Sequence, residues 1–145
     1  WAKDSLFYSY ITLHQVPPQN IQFSDEELGY LRDLKTLNIT LSSILTFAAY
    51  KKYFKHDRIK FVEVLRLTRN FCFRVLTICK KDTSYLELHL GKAARSIIEG
   101  ISVKDVRSAL KKASTDNEFE EAFRTATSKT AKQQFFILNT IATIN

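Results

Sequence analysis

Methionine is absent from this chain of 145 residues, and glycine, proline and cysteine occur only 3, 2 and 2 times. So little turn-forming material excludes a sandwich or barrel of many short strands and favours long helices. No apolar run approaches the ~20 residues of a membrane-spanning helix, and no secretory signal is visible. Residues 1–145 are therefore expected to form a single helical domain, with the cytoplasm as the default location. Because the chain opens at Trp1 and lacks methionine, it reads as an excerpt of a longer multidomain protein.

The residues that usually carry chemistry are sparse as well. On one helix Cys72 and Cys79 would share a face but stand about 10.5 Å apart along the axis. A disulfide tolerates ~7 Å between Cα atoms, so the pair is expected to be two apolar core thiols. His14, His56 and His89 are scattered, with no Glu-x-x-His or His-x-x-x-His companion. His89, one turn after Tyr85, is expected to be a hydrogen-bonded core imidazole. Gly29, Gly91 and Gly100 stand alone, so no glycine-rich loop exists to cradle phosphate. Glu118, Glu120 and Glu121 are explained by a helix N-terminus, where carboxylates meet the positive end of the dipole. No catalytic residue, metal site or cofactor is expected within this segment.

What the chain does contain is helical periodicity. Leu6, Phe7, Tyr10, Ile11 and His14 recur at helical spacing until Val16-Pro17-Pro18 stops them. Ser24-Asp25-Glu26-Glu27 has the form of a capping box. From it Leu28, Leu31, Leu34 and Leu37 lead, through the weakly helical Asn38–Ser43, to Leu41, Ile44, Leu45, Ala48 and Ala49. One long helix, or two nearly coaxial ones, is expected over 24–54.

The stretch FVEVLRLTRNFCFRVLTICKK (61–81) lies in a helix expected over 58–80. Phe61, Val64, Leu65, Thr68, Phe71, Cys72, Val75, Ile78 and Cys79 form its apolar stripe. Glu63, Arg66, Asn70, Arg74, Thr77 and Lys81 form its polar one. Arg69 falls on the apolar side and needs a carboxylate or carbonyl partner. Three further helices are expected: from Thr83 or Ser84 to Glu99 with Gly100 beyond its end, from Ser102 to about Ala113, and from Thr115 or Asp116. A last one over 129–144 would bury Phe135, Phe136, Leu138, Ile141 and Ala142. The fold class is all-α, an irregular bundle of six to seven helices.

Charge is concentrated in one window. Residues 51–81 hold ten Lys and Arg against Asp57 and Glu63, net +8, whereas the whole chain is +7, leaving −1 for the remainder. A local positive field of this kind guides polyanions. The candidate nucleic-acid-binding residues are Lys51, Lys52, Lys55, Arg58, Lys60, Arg66, Arg74, Lys80 and Lys81. Tyr53 and Phe54, interleaved with the lysines, resemble base-stacking rings but continue the stripe from Ala49 and Tyr50, and are expected in the core.

The order of the segments adds a resemblance. RNFCFRVLTICKKDTSYLELHLGKAARSIIEG, with Phe71-Cys72-Phe73, Leu76-Thr77-Ile78 and Ala94-Arg95, resembles the helical middle region of the GmrSD-type type IV restriction endonucleases. STDNEFEEAF and QQFFILNTIATIN are similar to the helices that precede that family's nuclease region, and KDSLFYSYITLH to an earlier aromatic helix. Cys72 stands where one branch often has histidine. The Asp-Gly-x-x-Arg of the family's ParB/sulfiredoxin-like domain and the His-Asn-His set of its HNH domain do not occur here, so no catalytic residue carries over.

The resemblance implies a scaffold and coupling domain of a prokaryotic, modification-dependent phage-defence endonuclease. Its partners would be the flanking ParB-like and HNH nuclease domains of the parent chain, and DNA, with no membrane. The competing readings are a stand-alone basic nucleic-acid-binding module and a protein–protein adaptor.

Overall fold

The computed structural model describes residues 2–13, 17–37 and 40–125. Within them the chain forms seven α-helices, one π-helical segment and no strand. In order these are α1 (Ala2–Leu13), α2 (Asp25–Thr36), α3 (Ser42–Tyr53), α4 (Arg58–Cys72), the π-helical Phe73–Ile78, α5 (Thr83–Ile98), α6 (Val103–Ala113) and α7 (Asp116–Thr125). The expected all-α bundle is what forms; the helix expected over 129–144 lies outside the described residues.

Helix α4 is the centre. Its stripe of Phe61, Val64, Leu65, Thr68, Phe71 and Cys72 is buried as the spacing predicts, and α2, α3 and α6 pack on it. Helix α5 covers α3 and α6, and α1 covers α3. At one end an aromatic cluster joins three helices. Phe7 stacks on Tyr50 with ring centroids 4.0 Å apart and meets Phe61 edge-on at 6.5 Å. Phe54 reaches Phe61 at 5.2 Å, and Tyr53 is buried, so both rings belong to the core as expected.

Of the two long spans expected, 24–54 takes its two-helix alternative and 58–80 changes form part-way. The span 24–54 is not continuous: α2 ends at Thr36, and α3 begins only at Ser42 after a turn in which Ser43 N–H donates to Thr40 O. Threonine, serine and asparagine compete for backbone hydrogen bonds and favour such breaks. The span 58–80 changes character after Cys72. There the backbone widens, and Cys79 N–H donates to Arg74 O, five residues back, at 2.8 Å. Phe71, Cys72 and Phe73, consecutive in sequence, are all buried, because Phe71 and Cys72 face the main core and Phe73 a separate cluster. Phe73 and Ile78 form a second, small core with Leu37, Phe119 and Ala122. The helix then stops at Lys80, whose φ of 51° is left-handed.

The caps follow the sequence closely. Ser24 N–H donates to Glu27 Oε2 at 2.8 Å and Glu27 N–H to Ser24 Oγ at 3.2 Å, a complete capping box. Helix α5 starts at Thr83, but its cap is Asp82, which accepts from Tyr85 N–H at 2.8 Å. At the other end Gly100 has φ +88°, with Gly100 N–H on Ile97 O and Ile101 N–H on Ser96 O. That is a Schellman termination, the role expected of this glycine. Arg69 has the carboxylate it needs: its Nη1 donates to Asp33 Oδ2 at 3.0 Å, under the ring of Tyr30.

Two glycines should respond oppositely to alanine. Gly100→Ala places a Cβ in a left-handed position and should cost about 1–2 kcal/mol. Gly91→Ala lies inside α5 with nothing within 4 Å of the added Cβ and should gain about 0.5–1 kcal/mol. Urea midpoints moving in opposite directions are the expected result; equal shifts would contradict the described termination of α5.

Candidate nucleic-acid interface

Helices α2 and α6 both pack on α4 but not closely on each other, which leaves an open groove along α4. Its middle holds about 580 Å³. Arg66, Leu67 and Asn70 of α4 form the floor, Arg32 and Asp33 of α2 one wall, and Arg107 and Lys111 of α6 the other. The groove continues past Arg58, Ile59 and Glu63 in one direction and past Arg74, Leu110 and Ser114 in the other. From Arg58 to Arg74 it tracks about 24 Å of helix axis at about 1.5 Å per residue.

Cations dominate this lining, and their partners divide them. Arg69 is matched by Asp33 and Arg107 by Glu63. Arg32, Arg66 and Lys111 make no salt bridge with another described residue, and all three are exposed. Against them the lining sets one carboxylate outside those pairs, Glu26, so the middle of the groove keeps a net positive charge. Local concentration of one sign in a concave wall strengthens the field at its mouth.

The nine basic residues singled out from sequence do not form one patch. Lys51, Lys52 and Lys55 sit at the C-terminal end of α3, where lysines face the negative end of the helix dipole. Lys51 pairs with Asp4, whose carboxyl it holds below the usual range. Lys60 pairs with Asp57, the N-cap of its own helix. Arg58 is a structural clamp. Its Nε and Nη2 grip Glu27 at 2.7 and 2.5 Å, its Nη2 also reaches Gln22 O, and its guanidinium lies 3.9 Å over the Phe54 ring. Arg74 and Lys81 pair with Asp116 and Glu118 of α7. Lys52, Lys55, Arg66 and Lys80 make no salt bridge with another described residue.

Of the nine, the groove gathers Arg58, Arg66 and Arg74. Sequence inspection missed Arg32, Arg69, Arg107 and Lys111 as groove residues, because three of them lie outside the 51–81 window. The four-residue spacing of Arg107 and Lys111 on a strongly amphipathic helix was the one local signal available.

The other reactive groups are accounted for by packing. Cys72 is wholly buried, and burial pushes its thiol far above the ordinary value; Cys79 is half-buried and shifted the same way, first by burial and then by Glu118. His89 corrects its expectation. It is half-buried and packed between rings rather than hydrogen-bonded to a described residue, tilted against Tyr85 at 4.4 Å and edge-on to Phe71 at 6.1 Å. Burial, then the charges of Lys92 and Lys81, lower its pKa. Among the described residues no group of three or more His, Cys, Asp or Glu side chains is placed to hold a metal ion. No described helix is long and apolar enough to cross a membrane.

Compared with protein-family models, curated proteins and solved structures, this chain matches none of them.

The clamp and the unpaired lysines should separate cleanly in stability. The Glu27 side chain is only 1% exposed, so Arg58→Ala strands a buried carboxylate. With Arg58 itself partly exposed, the loss should be about 2 kcal/mol, below that of a wholly buried pair. Lys52→Ala and Lys55→Ala should stay within about 0.5 kcal/mol of the parent. Denaturant titration of the three variants checks this, and an Arg58→Ala protein as stable as the lysine variants would refute the clamp.

Proposed function

We propose that this chain is the helical scaffold and coupling segment of a modification-dependent, phage-defence DNA endonuclease, non-catalytic by itself, and that it contacts the DNA backbone through the groove along α4. The observation that carries the DNA contact is the set of groove cations that make no salt bridge with a described residue, Arg32, Arg66 and Lys111, against the single carboxylate of Glu26. Phosphate contacts position a duplex without reading its sequence, which suits a segment whose task is to hold DNA while other modules recognise and cut it. The helix order, with Phe71-Cys72-Phe73 and Ala94-Arg95 at the places described above, supports the family assignment. On this reading the partners are the flanking ParB-like and HNH nuclease domains of a parent chain, in a prokaryotic cytoplasm.

Mechanically, α4 suits a coupling role. It touches α2, α3 and α6 at once, so a load on the groove reaches most of the bundle through packed side chains. The Arg58–Glu27 clamp and the Arg69–Asp33 pair tie α2 to α4 along one wall of the groove. Neither pair has to break for a phosphate to meet Arg66.

Salt dependence tests the contact. Neutralising three phosphates gives a slope of log K against log salt of about −2.7, a loss of roughly 40-fold between about 50 and about 200 mM salt. Arg66→Ala should weaken binding of a mixed-sequence duplex and reduce that slope by about 1. Binding indifferent to salt, or unchanged by Arg66→Ala, Arg32→Ala and Lys111→Ala together, would exclude the groove. Placed in the complete endonuclease, the same substitutions should weaken cleavage if the segment couples. A stand-alone module would show only the binding loss, and an adaptor neither effect.

A further inference from the structure

The first turn of α7 sits on cations at the far end of the same groove. Arg74 Nη1 donates to Asp116 Oδ1 at 2.7 Å and to Ser114 O at 3.3 Å, and Lys81 Nζ donates to Glu118 Oε2 at 3.3 Å. The Asp116 side chain is nevertheless 84% exposed. Arg107 and Lys111 line this end of the groove as well, and so does Ser114, whose hydroxyl is buried with no hydrogen-bond partner among the described residues. Arg74, Lys111 and the Glu63-paired Arg107 thus border, with Ser114, a position that the solvent-facing Asp116 carboxylate holds, and Glu118 holds Lys81 in the same first turn of α7.

We propose that this position is a second phosphate-binding site for the DNA backbone, and that α7 masks it, with the Asp116 and Glu118 carboxylates standing where phosphate oxygens would go. The proposal rests on the DNA reading above and adds a regulated extension to that interface. Displacing α7 would free Arg74 and Lys81, which lie beyond Arg66 along the same helix direction, and so lengthen the track of cations that a strand meets.

Helix α7 is built to be displaced. None of its residues is buried. Among the described residues its apolar hold is the half-buried Phe119 and Ala122 in the small cluster with Phe73, Ile78 and Leu37, with Arg74 lying over the Phe119 ring at 4.8 Å. The two ion pairs that pin its first turn have exposed acidic partners, and pairs of that kind contribute little and are screened by salt. An arginine gains more from a phosphate, which it grips with two parallel hydrogen bonds, than from a single bond to an exposed aspartate.

The test compares the chain with two variants carrying the same charge change. Asp116→Asn with Glu118→Gln removes the carboxylates on Arg74 and Lys81. Glu120→Gln with Glu121→Gln removes two exposed carboxylates from the same helix that make no salt bridge with a described residue. Each is titrated against a labelled mixed-sequence duplex, and hydrogen exchange of the 116–125 amides is followed in the unsubstituted protein with and without DNA. Unmasking predicts that the first variant binds about 5–10-fold tighter while the second changes less than about 2-fold, and that exchange in α7 accelerates on adding DNA. Equal affinities for the two variants, or α7 protection unchanged by bound DNA, would overturn the masking while leaving the groove intact. If no form binds DNA in a salt-sensitive way, the DNA reading fails first and the masked site with it.

Discussion

Phe61, Val64, Leu65, Thr68, Phe71 and Cys72 leave water as one continuous face of α4, and the positions of α2, α3 and α6 follow from covering it. Each large apolar side chain buried contributes about 1.5–3 kcal/mol, so this face outweighs any single ion pair in the molecule. The covering helices meet α4 from different sides, and two of them, α2 and α6, do not close over it. The groove is a by-product of that packing. Its charged lining occupies the part of α4 that no neighbour needed.

Arginine and lysine consequently play three parts in this fold. Arg58 and Arg69 hold α2 against α4 by answering carboxylates at the interface. Arg74 and Lys81 connect the π-helical region and its exit to α7. Arg32, Arg66 and Lys111 face the open groove. Net charge over a window merges these parts. What separates them is whether a carboxylate lies within reach, and most of those carboxylates are distant in sequence: Glu27 from Arg58, Asp33 from Arg69, Asp116 from Arg74.

That distance explains which features could be read in advance. Local rules worked where the physics is local: the Ser24–Glu27 box, the Gly100 termination, the buried stripe of α4 and the need of Arg69 for a partner, though not the identity of Asp33, all follow from residues within a few turns. The end of α2 at Thr36 was only half legible, because weak helix formers mark a bend as readily as a stop. The π-helical turn was invisible, since nothing local marks it, and Phe73 lies off the apolar stripe of α4 because what buries it is Leu37 and α7. The groove was the least legible, because two of its cations, Arg107 and Lys111, come from a helix some forty residues beyond Arg66, brought there by apolar contacts that say nothing about charge.

Arg69 carries a further consequence for how α2 seats on α4. Leucines that recur every turn present much the same surface if a helix slips lengthwise by one turn, so oily contacts alone specify alignment weakly. A guanidinium 7% exposed among them does not tolerate such slippage, for a shift of about 5.4 Å carries Asp33 out of reach and leaves the cation stranded. The arginine therefore acts as an index mark. It fixes which residues of the two helices stand opposite one another, and with them the spacing between Arg32 and Arg66 that any extended polyanion would encounter.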